Sequence, residues 1–142
     1  MIDATDIKRH YNWEVAPRDA KENRWTKLYA TLAPSGVLWL TRMTHDALGS
    51  PEAYLIMYDR NLHVLGLQPT SRGGKNAYPA MEAGKHGGRK ILAFRILRQW
   101  SLYVHETIRF PRCYVDHSGT LILDMKDVID CGRSRKKGAN KY

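Results

Sequence analysis

The stretch Glu52-Ala53-Tyr54-Leu55-Ile56-Met57-Tyr58-Asp59-Arg60-Asn61-Leu62-His63-Val64-Leu65-Gly66-Leu67-Gln68 decides the fold. Its two arms are rich in β-branched, aromatic and large apolar residues, which favour a pleated, half-buried surface. Asp59-Arg60-Asn61 between them is a turn. The reading is strand, hairpin turn, partner strand, with Pro69 ending the second arm. In that arm Leu62, Val64 and Gly66 alternate with His63, Leu65 and Leu67, so neither face is polar. Such a strand needs cover on both sides, from a helix or a second subunit. A homodimer is expected on this ground, with Trp39 and the Leu62–Leu67 strand near the interface.

The same pattern extends outward. Leu28–Leu32 and Val37–Leu40 read as strands around the turn Pro34-Ser35-Gly36. Thr41–Gly49 reads as a short helix, capped by Thr41 or Thr44 and stopped by Gly49, with Met43, Ala47 and Leu48 facing inward. Residues 70–90 hold five glycines and read as a long basic loop. Ile91 to about Tyr103 reads as a second helix on the spacing of Ile91, Phe94, Leu97 and Leu102. A second hairpin is expected over 108–124, turning at Asp116–Gly119, and Lys126–Ile129 adds a turn of helix. The fold class is therefore α+β, with antiparallel hairpins and two short helices, arranged as two similar lobes or as one sheet. Residues 1–24 form an N-terminal arm that pins Trp13 onto the body. Residues 25–130 form one domain, and 131–142 a basic flexible tail.

A chain of 142 residues and 16.3 kDa is one domain's length. It buries about 70% of its unfolded surface without metals or disulfides. Cys113 and Cys131 are too few and too far apart for a disulfide scaffold or a cysteine zinc site. The start of the chain lacks a signal-peptide pattern, and no apolar run approaches a membrane span, so a cytoplasmic protein with no membrane contact is expected.

The net charge of +9 is localised. Residues 1–70 carry eight basic and eight acidic side chains, whereas 71–100 carry seven basic ones against Glu82 alone. Residues 131–142 carry five basic side chains and no acid. Clustered cations imply an anionic partner. The candidate nucleic-acid contacts are Arg72, Lys75, Lys85, Arg89, Lys90, Arg95 and Arg98, the tail residues Arg133, Arg135, Lys136 and Lys137, and Tyr78 as a ring on which a base could stack. Trp100 beside Arg98 is a weaker candidate of the same kind, and Trp39, between two leucines, reads as core or interface packing.

Signals for catalysis are missing. The glycine-base clusters at 72–75 and 84–88 lack the spacing and preceding strand of a phosphate loop. The six histidines include no pair at ligand spacing, and His45 reads as a surface or capping residue. No nucleophile signature occurs. The expectation is a small basic nucleic-acid-binding, regulatory protein with no catalytic residue, metal or cofactor, contacting DNA in preference to RNA. The competing reading is a structural or interaction module that meets an acidic protein partner.

One stretch resembles a known family. Ser35-Gly36-Val37-Leu38-Trp39-Leu40, the helix ending in Ala47-Leu48-Gly49, the strand Ala53–Met57 and the closing Leu62–Pro69 follow the order of AbrB-like swapped-hairpin domains of bacterial transcription regulators and antitoxins. The resemblance covers residues 35–69. It implies a dimer that presents basic strands and loops to DNA, with Arg42 and Arg60 the local basic candidates. The whole chain is also similar to small bacterial and phage proteins of uncharacterised function.

Overall fold

A computed structural model describes residues 12–15 and 27–131. Within them the chain forms β1 (Ala30–Leu32), β2 (Val37–Leu40), helix α1 (Arg42–Ala47), β3 (Ala53–Asp59), β4 (Val64–Thr70), β5 (Tyr78–Pro79), β6 (Met81–Ala83) and β7 (Gly88–Leu92). Helix α2 (Phe94–Gln99), β8 (Ile108–Arg109), β9 (Tyr114–Val115), β10 (Leu121–Asp124) and β11 (Ile129–Asp130) follow. The strands make a six-stranded sheet, β11-β8-β1-β2-β7-β6, and a five-stranded sheet, β5-β3-β4-β10-β9. Every pairing is antiparallel. The fold is α+β and dominated by strand.

One hydrophobic core joins the sheets. Leu32, Leu38, Leu40 and Ile91 come from the six-stranded sheet; Tyr54, Leu65, Leu67, Leu121 and Leu123 come from the other. The chain crosses between the sheets with little loop. Only Ala80 separates β5 from β6, and its N–H donates to the Glu52 carbonyl at 3.0 Å.

The 53–70 segment is the expected hairpin, paired from Ala53↔Thr70 to Asp59↔Val64. Its loop is longer than expected, because His63 adopts φ 57 and Leu62 N–H donates to the Asp59 carboxylate at 3.0 Å. Strand β4 also runs through Pro69 instead of stopping there. Its pairing with β10 ends at Leu67, so the missing proline N–H sits where that side is unpaired. Leu65 and Leu67 are fully buried, and β4 lies between β3 and β10. The apolar character of this strand thus has an account within one chain.

Further expectations need correction. The 70–90 segment contains β5, β6 and the start of β7, because hairpin pairing from Met81↔Lys90 to Ala83↔Gly88 satisfies its backbone. Ile91 belongs to β7, and α2 begins only at Phe94. Here Gly36 is decisive: it has φ +85, and a Cβ there would lie 2.5 Å from the Phe94 Cα. The glycine lets α2 start directly against the β1–β2 turn, where the Ala93 N–H donates to the Gly36 carbonyl at 3.0 Å. The second hairpin is β9–β10 alone, since β8 pairs with β1 in the other sheet and Pro111 lies in the turn between. Residues 129–130 form β11 rather than helix and pair with β8.

Helix α1 starts as expected, with Thr41 accepting the Thr44 N–H at 3.3 Å, and Gly49 follows its end at φ +89. Its inward face differs. Thr44, His45 and Leu48 are buried, while Met43 and Ala47 are exposed. Thr44 is held by the Tyr29 backbone, donating to its carbonyl at 3.1 Å and accepting its N–H at 2.7 Å. Trp13 is 67% exposed, so its ring is not buried against the body as the anchor reading required. The remainder of the arm and the tail beyond Cys131 lie outside the described residues.

Candidate functional site

Residues paired directly across antiparallel strands lie on the same face of a sheet. The registers of the six-stranded sheet therefore set Ile129, Arg109, Thr31, Trp39, Lys90 and Met81 in one line, one from each strand. The alternate residues Leu38, Leu40, Ile91 and Ile108 are core, so this line runs across the outer face. Trp39 stands in its middle, 41% exposed. The Lys90 ammonium lies 5.9 Å from its ring centroid. On the same face the Arg109 guanidinium lies 5.3 Å from the centroid of Tyr29. The Arg109 Nε is buried without a hydrogen-bond partner among the described residues.

A cavity of about 420 Å³ opens here. Its floor includes Tyr29, Thr31 and Trp39, one wall is Arg42 and the β6–β7 turn with Lys85 and His86, and another is Thr107 with Cys131. Among the described residues no aspartate or glutamate lines it. An open depression continues past Arg42, Lys85 and His86 to Met43 and Asp46. Arg42 and Asp46 are 3.6 Å apart, both well exposed, a geometry that neutralises little. Lys85 has no ion pair among the described residues.

The wall is fixed from its backbone. Gly87 has φ +81, and a Cβ there would come within 2.8 Å of the Arg42 Cδ. The glycine therefore admits the stem of Arg42 against the turn. Arg89 Nη1 donates to the carbonyls of Gly87 and Gly88 at 2.8 and 3.0 Å, closing the turn from the other side. At the opposite wall the Cys131 N–H donates to the Thr107 carbonyl at 2.9 Å. The described chain ends there, and Arg133, Arg135, Lys136 and Lys137 follow within six residues.

The cations expected from sequence are dispersed. Lys85 and Lys90 belong to this face, while Arg89 is engaged in the turn. Arg72 and Lys75 are exposed in the β4–β5 connection, and Arg95 and Arg98 are exposed on α2. Tyr78 is half-buried in β5 and packs against the core. Trp100 also packs there, 5.3 Å from the Tyr58 ring. Arg133, Arg135, Lys136 and Lys137 lie outside the described residues. Arg60 sits by Tyr58, 5.8 Å from its centroid, and not in the groove. The sequence reading missed Tyr29 and Arg109, reached Arg42 only through the family resemblance, and took Trp39 for packing. The signal was the alternation in β2: with Leu38 and Leu40 inward, Trp39 must face out.

A second polar cluster lies inside. His45 is 3% exposed and Tyr54 fully buried, against the expectation of a surface histidine. The His45 Nδ1 and Tyr54 hydroxyl are 2.7 Å apart. Burial lowers the histidine's pKa below 6.5, nearby Arg89 adds to this, and Asp46 opposes it. Burial also raises the Tyr54 phenol well above its usual range. The pair is a satisfied neutral contact in the core. Burial likewise raises the Cys113 thiol, which makes it a poor nucleophile.

No family model matches the chain, and neither a curated protein nor a solved structure matches it. Among the described residues no helix is long and apolar enough to cross a membrane.

Proposed function

We propose that this chain binds nucleic acid, holding phosphates in the groove on the outer face of its six-stranded sheet. The observation that carries the reading is the lining: Arg42 and Lys85 with Tyr29 and Trp39, and no carboxylate among the described residues. Phosphates are attracted by cations gathered in a partly enclosed site. The basic 133–137 segment supports it, because residue 133 is joined through Gly132 to Cys131 on the groove wall. Two residues span at most about 7 Å, so the basic segment is joined to the chain within that distance of the groove wall.

The test is a fluorescence-anisotropy titration of labelled DNA and RNA oligonucleotides across a salt series. Affinity should fall steeply with salt, because released counterions drive phosphate binding. Lys85→Ala should weaken all sequences alike and flatten the salt slope by about 0.7–0.9 for one lost phosphate contact. Truncation after Cys131 should flatten it further. Absence of binding at low salt, or binding untouched by both changes, overturns the reading. An acidic protein partner would then be favoured by the exposed Met81 and Ile129 that end the cross-strand line.

A further inference from the structure

We infer, resting on the nucleic-acid reading of this groove, that its ligand is a single strand with one nucleobase stacked on the indole of Trp39. Two aromatic residues, Tyr29 and Trp39, line the same cavity, and each has a cation near its ring. Stacking rings interleaved with cations is how single-strand binders hold bases while neutralising the adjoining phosphates. Trp39 is central in its sheet, flanked by β1 and β7, yet 41% of it remains accessible. Most of a tryptophan at such a position would normally be covered, since the ring is chiefly apolar. A nucleobase covers it without demanding a matching protein surface.

Size and shape argue against a duplex. The cavity of about 420 Å³ is on the small-ligand scale, enough for an individual nucleotide rather than a double helix. Bases within a duplex are stacked on one another and offer no free face. A duplex is read by its base edges, through a helix or strand ribbon in a groove. Here the helix beside the site, α1, has only six residues and is packed against the β6–β7 turn through Arg42. The cations nearest the stacked base are Lys85, which lines the cavity, and Lys90, whose ammonium lies 5.9 Å from the Trp39 ring centroid and would move from the ring to a flanking phosphate.

The experiment compares unstructured single-stranded oligonucleotides with duplexes of the same sequence, using the full chain and three variants: Trp39→Ala, Trp39→Phe and Lys85→Ala. Circular dichroism and thermal melting establish that each variant is folded. The expected result is tighter binding of single strands than of duplexes. Trp39→Ala should weaken single-strand binding about 5- to 150-fold, the usual range for one stacked base, with little change for duplex. Trp39→Phe should retain most of the affinity but lose the part of the fluorescence quenching due to the indole. If Trp39→Ala leaves single-strand affinity unchanged while Lys85→Ala weakens it, stacking is refuted and phosphate binding stands. Equal loss of single-strand and duplex affinity in Trp39→Ala also refutes stacking. If neither ligand binds the full chain at low salt, the broader reading fails, and this one with it.

Discussion

Tyr54→Phe isolates one buried polar contact. The change removes a hydroxyl and leaves the ring, so the packing of this fully buried residue is nearly kept. What is lost is the 2.7 Å hydrogen bond to His45 Nδ1. The histidine is itself 3% exposed, so water cannot replace the missing partner. An unpaired buried polar group costs about 1–3 kcal/mol. For a domain of this size that corresponds to a fall of roughly 2–12 °C in Tm. Urea unfolding at pH 7.5 reads the loss as a lower midpoint at constant slope. The paired variant His45→Leu with Tyr54→Phe removes both polar partners and should recover part of the loss, because neither group is then left unsatisfied. A coupling of about 0.5–3 kcal/mol is expected from the four-protein cycle. A Tyr54→Phe protein within about 0.5 kcal/mol of the parent, or strictly additive single changes, would refute the account, since that is the ordinary range for surface substitutions.

The lowered pKa of His45 carries a sign. The unfolded chain takes up the proton near pH 6.5 and the folded chain only below that, so the stability contribution is complete above pH 6.5 and lost as pH falls; urea midpoints should drop between pH 7.5 and 5.5, and drop less in His45→Leu. Gly36→Ala should cost about 2–5 kcal/mol, combining left-handed backbone strain with displacement of α2, while Gly49→Ala, at φ +89 but facing open space, should cost only the strain of about 1–2 kcal/mol; equal losses in chemical unfolding would show that the Phe94 contact is unimportant. Leu67→Ala empties a fully buried position in β4 and should cost about 2–5 kcal/mol, whereas Met57→Ala, 38% exposed on β3, should cost far less by the same measurement.

The hairpin at 53–70 and the α1 cap were legible because their signals are local. Alternation, an Asx-type turn and a threonine followed by a short helix need no knowledge of distant chain. The error at Ile91 has a different origin. Ile91, Phe94 and Leu97 fit helical spacing, yet Ile91 pairs with Leu38 in β2, more than fifty residues away in sequence. Tertiary pairing overrode a local period, as it commonly does for short apolar runs. The face of α1 was misjudged for a related reason. Met43 looked like core and Thr44 did not, but Thr44 satisfies the Tyr29 backbone and His45 meets Tyr54, so the polar pair is what enters the interior.

Charge counting implied a partner class but did not locate a surface. Seven cations within thirty residues look like one patch along the chain, and the fold disperses them to a connection, a turn, strand β7 and a helix. Arg42 comes from a half of the chain with no net charge, and Arg109 from a segment with an acidic excess, yet both reach the outer face that holds Trp39. What assembles that face is register. The pairs Thr31↔Arg109, Thr31↔Trp39 and Trp39↔Lys90 bring residues from four strands into line. A slip of one residue in β2 would place Leu38 or Leu40 outside and drive Trp39 into the core. Burial of Leu32, Leu38, Leu40 and Ile91 forbids that slip, because each is at most 3% exposed in the observed register. The core residues thus determine which side chains line the outer face, and of the four only Leu40 also borders the cavity.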